Sequence, residues 1–409
     1  MKKKIMQINI TCGVGSTGRL SATLYNATKE CGYEACFAYS AYSPMIEDAF
    51  RIETKMQNFL RRGLNKYIGR RQFHSAPGTR RLIRYIKREK PDLIHLHNIQ
   101  QNSVHYKLLL NFLKNSNIPI VYTLHDCWSF TGGCYHFTKK SCNQYESGCV
   151  HCEWQEDLDD VKVMPSEAYT TKKLLIGEND NIYPICVSNW LCSVAKASYM
   201  GRMKHIPQVI YNGIDTKVFA PIPVDRLEKC GLEPETFVIL GVASYWNEDK
   251  GLSLFLKLVD CLDFPVKVIL IGGGLDSAEL LRDNRFICVA RTENVAELAE
   301  YYSLADVFVN TSIEETFGLT TAEALACGTP AIVFNSTACP EVIDEDTGVS
   351  VPFEMDALVE AVRQIKSRGK AYYTKNCRNR IVQEFSKEMM VDRYLQLYRS
   401  IFHDESSKN

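Results

Sequence analysis

Short runs rich in Val, Ile, Leu and aromatic residues recur along the chain. Each is followed by a stretch whose apolar positions return every three to four residues. In the first half, residues 4–10, 34–39, 92–95, 118–123 and 182–186 read as buried strands, with amphipathic stretches such as 79–88 and 104–114 between them. Apolar strands alternating with helices mark a parallel sheet covered on both faces. The alternation restarts in the second half: strands at 238–243, 266–271, 285–289, 306–310 and 331–334, with helical stretches near 251–262, 294–304 and 318–327. The pattern predicts an α/β chain of two doubly wound domains in tandem. Their join is expected near 203–222, where Asn212-Gly213 followed by Pro221 and Pro223 is turn-rich punctuation.

Composition agrees. The 409 residues exceed what one core ordinarily fills and suit two domains of about 200 each. Hydrophobic residues at 45% and charged ones at 23% exclude a disordered or fibrous chain. Lys+Arg and Asp+Glu are both 48, so no nucleic-acid partner is expected from overall charge. No run approaches the roughly eighteen apolar residues of a spanning helix. The opening Met1-Lys-Lys-Lys-Ile-Met-Gln-Ile-Asn-Ile10 starts like a signal peptide. Its apolar run is short, is broken by Gln7 and Asn9, and lacks a small-residue cleavage site, so a cytoplasmic location is expected.

One local imbalance changes the picture. Residues 51–90 hold thirteen basic residues against two acidic ones, Glu53 and Glu89, with Phe59, Leu60, Leu64, Tyr67 and Ile68 interleaved at helical spacing. Such a stretch reads either as a solvated helical face or as a surface for an anionic bilayer or a phosphate-bearing lipid.

Candidate chemistry sits at strand ends. Gly13-Val-Gly-Ser-Thr-Gly18 follows the first strand and opens a helix, the context of a phosphate-binding turn. Strand two ends Ala38-Tyr-Ser-Ala41, without the acid that a dinucleotide ribose requires. In Ser312-Ile-Glu-Glu-Thr-Phe-Gly-Leu-Thr-Thr-Ala-Glu-Ala-Leu-Ala-Cys-Gly-Thr-Pro330, a helix is expected from about Gly318 to Gly328. The amides of Phe317, Gly318 and Leu319 then form an anion site flanked by Glu315 and Glu323. The alternative makes Glu315 a capping-box partner of Ser312 and Glu323 an exposed helix residue. His125 in Tyr122-Thr-Leu-His-Asp126 ends one strand, and His95 and His97 another. Lys250, before Gly251, is placed to neutralise a phosphate.

Eleven of the sixteen cysteines are scattered and five cluster: Cys127, Cys134, Cys142, Cys149 and Cys152. The last four run C-x7-C-x6-C-x2-C near His136 and His151, and only the final pair has metal-knuckle spacing. Reduced thiols are the plainer reading and a structural zinc stays open, so no metal ligand is assigned; a disulfide framework is not expected.

In order and combination these elements resemble a family 4 retaining glycosyltransferase of the polysaccharide-assembly type. The markers are the glycine loop, Pro91-Asp-Leu-Ile-His-Leu-His-Asn98, His125, Val187-Ser-Asn-Trp190, Val209-Ile-Tyr-Asn-Gly-Ile-Asp215, Lys250-Gly251, Ile271-Gly-Gly-Gly274, Ala305-Asp-Val-Phe308 and the E-x7-E element from Glu315 to Glu323. The resemblance implies the GT-B fold, two Rossmann-like domains facing each other across a cleft. An acceptor domain would span 1–205 and a sugar-nucleotide domain 206–386, with a C-terminal helix at 387–401 packing back on the first. It implies no required cofactor or metal, a UDP- or GDP-sugar donor, and a lipid-linked or saccharide acceptor at the inner face of the plasma membrane.

Residue by residue, the resemblance gives Glu323 the donor ribose, Glu315 the donor sugar, and the amides of Phe317, Gly318 and Leu319 the sugar and diphosphate. Lys250 would neutralise the leaving diphosphate, His125 would touch the sugar near the reacting carbon, and Gly13 and Gly15 would let their loop approach the diphosphate. Relatives usually carry an arginine where this chain has Ser244, so either another cation, Arg202 or Arg291, substitutes or leaving-group stabilisation is weaker. Base recognition is expected around Ala290 and Arg291. Two other readings stay open, an NAD-dependent oxidoreductase using the glycine loop and a catalytically silent sugar-nucleotide-binding protein.

Overall fold

The computed structural model describes residues 2–41, 45–54, 56–60, 75–100, 104–153, 164–233 and 235–406. The chain divides into two compact units. One comprises the residues up to Tyr211 together with those from Val391 onward, and the other runs from Asn212 to Met390.

The first unit is built on seven strands in the order β3-β2-β1-β4-β5-β6-β7. These are β1 (Lys4–Ile8), β2 (Glu34–Tyr39), β3 (Phe50–Arg51), β4 (Leu93–Leu96), β5 (Ile120–Leu124), β6 (Ile182–Cys186) and β7 (Gln208–Val209). Every pairing is parallel, with Gln7 beside His95 and Leu96 beside Tyr122. Ile5, Met6, Ile8, Leu93, Ile94, Leu96, Ile120 and Val121 are all buried, as central strands covered on both faces require. Each such side chain contributes about 1.5–3 kcal/mol relative to exposure. The helix Ala76–Glu89 shows why its bounds fall where they do. Pro77 sits in its first turn, Lys90 takes a left-handed conformation after its last, and Pro91 follows.

The second unit carries six parallel strands in the order β10-β9-β8-β11-β12-β13. They are β8 (Phe237–Tyr245), β9 (Val266–Gly273), β10 (Phe286–Val289), β11 (Val307–Asn310), β12 (Ala331–Phe334) and β13 (Gly348–Val351). Both orders run outward from the first strand, then reverse to its other side. That reversal makes a switch point between β1 and β4 in one unit and between β8 and β11 in the other, where the loops after the strands splay apart and ligands bind in open α/β sheets.

The division after Tyr211 lies beyond residue 205 because Gln208 and Val209 pair with Ile185 and Cys186 as a seventh strand. The helix Lys387–Ser406 begins in the second unit and belongs from Val391 onward to the first. Among the described residues no helix is long and apolar enough to cross a membrane.

Candidate functional site

At the switch point of the second unit, the loop after β8 meets the loop after β11. The turn Glu248–Lys250 is capped by Asn247, whose side chain accepts from the Lys250 amide, and it ends at Gly251 with φ +70°. A Cβ at Gly251 would lie 2.6 Å from Thr311 Cβ, and Thr311 Oγ1 donates to the Lys250 carbonyl at 2.5 Å. Only glycine there lets the two loops lock together. So held, Lys250 Nζ donates to Glu315 Oε1 at 2.9 Å and to Ser312 Oγ at 3.1 Å. The Glu315 backbone is fixed in turn, its amide donating to Thr337 Oγ1 and its carbonyl accepting from Ala338.

This geometry excludes a capping box. The Ser312 hydroxyl and the Glu315 carboxylate both face Lys250, and the helix starts only at Leu319. Gly318 precedes it in a left-handed conformation, and no side chain caps it. Its first amides are therefore available to an anion, reinforced by the helix dipole. Phe317 is buried against Phe385 and anchors the turn. Glu323 is buried rather than exposed, and its Oε2 accepts from Tyr302 Oη at 3.0 Å. Lys250, Glu315, Gly318 and Leu319 thus gather at one switch point, with Glu323 one turn into the helix.

Arg291 lies elsewhere. It is exposed after β10, two strand spacings (roughly 10 Å) from the end of β8. Ser244 is exposed on β8, while Arg202 belongs to the first unit, in the turn Tyr199–Arg202.

In the first unit, Gly13 and Gly15 both have positive φ, and the Gly13 amide donates to the Gly18 carbonyl across the turn. A Cβ at Gly18 would stand 2.3 Å from Thr11 Oγ1, so the helix can start this close to β1 only with glycine there. A cavity of about 520 Å³ borders Gly13, Arg19 and Asn26. His125 follows β5 and is partly accessible. Its Nε2 lies 3.2 Å from His97 Nδ1, and burial pushes its pKa down to about 4. His95 and His97 are fully buried and also held well below the ordinary histidine value by burial. The neighbouring Asp126 accepts from the Trp128 amide and from Gln100 Nε2. Burial nevertheless raises its pKa to about 6.

The cysteine-rich loop folds through short turns at Trp128–Phe130, Thr138–Lys140 and Gln144–Glu146. Its cysteines are thiols, and Cys149 Sγ accepts from the Gly132 amide at 3.1 Å. Among the described residues no group of three or more His, Cys, Asp or Glu side chains is placed to hold a metal ion. Beneath the loop the buried Lys172 donates to the Trp128 carbonyl and lies 4.2 Å from the Trp128 ring centroid. Of the basic stretch, Lys55 and residues 61–74 lie outside the described residues. What is described includes the exposed Met56, Phe59 and Leu60, and a cavity of about 210 Å³ lined by Phe50, Arg81, Arg84, Tyr85 and Arg88.

Sequence reasoning missed Tyr302, Ser312 and Thr337 as members of these clusters. Only Ser312 gave a signal, as the capping-box partner of Glu315.

Two doubly wound parallel-sheet units in one chain are the architecture of the GT-B fold. The fold matches a sucrose-phosphate synthase from Thermosynechococcus elongatus with TM-score 0.74 and 21% identity, over 98% of this chain and 100% of that one. It also matches Anabaena HepE solved with UDP and glucose, at TM-score 0.66 and 17% identity, over 97% of this chain and 100% of that one. Residues 236–367 match the family model described as Glycosyl transferases group 1, and residues 18–150 match Glycosyltransferase Family 4. Among curated proteins, the N-acetyl-alpha-D-glucosaminyl L-malate synthase of Bacillus anthracis is 22% identical across 98% of this chain and 99% of its own length. The chain belongs to the family 4 glycosyltransferases. That membership replaces the oxidoreductase reading of the glycine loop.

Proposed function

We propose that this glycosyltransferase acts with retention at the anomeric carbon. It would move a hexosyl group from a UDP- or GDP-sugar to a lipid-linked or saccharide acceptor in bacterial capsule, exopolysaccharide or lipopolysaccharide synthesis. The observation that carries the reading is the Lys250–Ser312–Glu315 cluster beside the uncapped start of the helix Leu319–Ala326. A cation and a row of amides at one switch point suit a diphosphate, and acceptor-only carboxylates at Glu315 and Glu323 suit hydroxyls of the sugar and ribose.

In the proposed step the bond from the anomeric carbon to the diphosphate oxygen breaks while the acceptor oxygen bonds to the same face of that carbon. The acceptor proton passes to a phosphate oxygen of the donor. Lys250 and the helix amides stabilise the charge that develops on the leaving diphosphate, so the step is proposed to need no metal. His125, neutral over the physiological range, would touch the donor sugar near the reacting carbon. Gly13 and Gly15, both at positive φ, would let the loop after β1 approach the diphosphate. Arg291 is retained as a candidate for the base alone, since its strand end lies apart from the phosphate cluster. The residues up to Tyr211 with those from Val391 onward are proposed as the acceptor unit, and Asn212–Met390 as the donor unit.

Arg81, Arg84 and Arg88 around Phe50 and Tyr85, with Met56, Phe59 and Leu60 exposed nearby in sequence, support an anionic lipid surface as the place of work. The protein would then be cytoplasmic and peripheral on the inner face of the plasma membrane.

The test is a thermal-shift screen against UDP, GDP, their sugar conjugates and NAD, with and without EDTA. A ligand at about 100 times its Kd stabilises the fold by roughly 2.7 kcal/mol. The expected result is a shift with one nucleoside-diphosphate class that is insensitive to EDTA and lost in Glu323→Ala. A response to NAD alone, or one abolished by EDTA, overturns the reading.

A further inference from the structure

β1 is an interior parallel strand, yet Gln7 in its middle is fully buried. Its side chain enters a polar network confined to the first unit. On one side, Gln7 Oε1 lies 2.9 Å from His97 Nε2, and His97 Nδ1 lies 3.2 Å from His125 Nε2. On the other, Gln7 Nε2 donates to Tyr398 Oη at 3.4 Å, Tyr398 Oη lies 2.6 Å from His95 Nδ1, and His95 Nε2 lies 2.8 Å from Thr123 Oγ1. Thr123 Oγ1 continues to Tyr394 Oη at 2.7 Å. The rings of His95 and His97 stack at 4.1 Å between centroids.

A primary amide has one end that only accepts and one that only donates, and a neutral imidazole has one nitrogen of each kind. Once Gln7 is placed, these facts fix the arm that runs through His97 to His125. The amide oxygen can only accept, so His97 carries its proton on Nε2 and accepts at Nδ1. His125 must then donate from Nε2. The amide nitrogen can only donate, so the Tyr398 oxygen accepts there; the arrangement that also uses the Tyr398 proton turns it to His95 Nδ1, and His95 then donates from Nε2 to Thr123, whose contact with Tyr394 can run either way. No pair of donors or of acceptors is left facing.

We propose that Gln7 is a positioning residue which, acting through His97, holds His125 in the Nε2–H tautomer, with the lone pair on Nδ1. Resting on the transferase reading given above, this excludes His125 Nδ1 as a proton donor in the transfer. Tyr398 and Tyr394, from the helix Lys387–Ser406, orient the other arm through His95.

The experiment is nitrogen-15 NMR of the histidine rings in the full chain, which distinguishes protonated from lone-pair nitrogens, with His125 assigned by loss of its signals in His125→Gln. The expected spectrum of the unaltered protein shows Nε2–H for His95, His97 and His125. Gln7→Glu presents acceptors in both directions. It should keep His125 as Nε2–H, while Tyr398 turns its proton to the carboxylate and His95 changes to Nδ1–H. Tyr398→Phe should leave the His125 tautomer unchanged. Gln7→Leu should let Nδ1–H His125 appear, and lower kcat about tenfold with the donor KM little changed, an effect of lost orientation rather than lost binding; Gln7→Glu should restore kcat.

A His125 found as Nδ1–H in the unaltered protein overturns the proposal, as does a His125 tautomer that stays wholly Nε2–H in Gln7→Leu. The tautomer readout needs no turnover. A protein inactive with every sugar nucleotide but showing Nε2–H His125 would defeat the transferase reading and leave the network standing. An active enzyme with Nδ1–H His125 would do the reverse.

Discussion

Lys250 Nζ stands 2.9 Å from Glu315 Oε1, with 36% of the lysine side chain and 23% of the glutamate side chain exposed. A pair this open to solvent adds at most about 1 kcal/mol to folding. Its value lies in holding a cation at the switch point, where the loops after β8 and β11 meet.

Lys250→Met should therefore leave thermal stability nearly unchanged while weakening nucleoside-diphosphate binding. A charge-assisted contact is worth about 1.5–3 kcal/mol, or roughly 10- to 150-fold in Kd. Titration calorimetry with UDP and GDP checks this. Unchanged affinity for both would remove Lys250 from the phosphate site.

Glu323 and Tyr302 should prove coupled in stability. Removing the buried carboxylate deprives the Tyr302 hydroxyl of this acceptor, a loss of about 1–3 kcal/mol. Tyr302→Phe in the Glu323→Ala background should then cost less than Tyr302→Phe alone. Chemical denaturation of the single and double variants measures the coupling, and simple additivity would show that the contact carries no energy.

Asp126 should set a pH dependence with a definite sign. Its pKa is raised from 3.8 to about 6 in the folded protein, so the fold holds the proton more tightly than the unfolded chain. The group's contribution is full below about pH 4 and is lost as pH rises through 6. Asp126→Asn should accordingly gain stability relative to the parent at pH 7.5 compared with pH 4.5. Parallel denaturation curves at the two pH values would refute this if the difference were flat or reversed.

Lys172 works in the opposite direction. Burial lowers its pKa from 10.5 to about 7, so between those values the unfolded chain holds the proton that the fold has released. Stability from this group rises with pH across that window. Lys172→Met should flatten the increase between pH 7 and 9.5, whatever it does to stability at any one pH. Urea titrations of both proteins across the range decide it.

The parallel sheets were legible because their strands are near-continuous apolar runs, and the predicted strands overlap β1, β2, β4–β6 and β8–β12. β3 and β7 have two residues each, too few for any periodicity, and they exist only because neighbouring strands offer free edges. Lys250, Glu315 and Glu323 were readable as a chemical set, because strand ends and a glycine-started helix announce themselves locally. Their partners were not. Ser312 offers itself only as the cap of the alternative reading, because Ser-x-x-Glu has that meaning where a helix follows at once, and here the helix waits until Leu319. Gln7 counted at first only as a break in an apolar run. A buried amide signals a network, but its partners His97 and Tyr398 lie 90 and 391 residues away, and no local pattern reaches that far.

The first unit is discontinuous in sequence, whereas Asn212–Met390 is one unbroken segment. During synthesis the later segment can therefore finish folding before the earlier one does. Until Tyr394 and Tyr398 have left the ribosome, His95, Thr123 and Gln7 lack hydroxyls that the finished sheet gives them. The chain's first 211 residues must wait, incompletely closed and with apolar surface open to chaperones or to aggregation, for a helix made only after the second unit is complete.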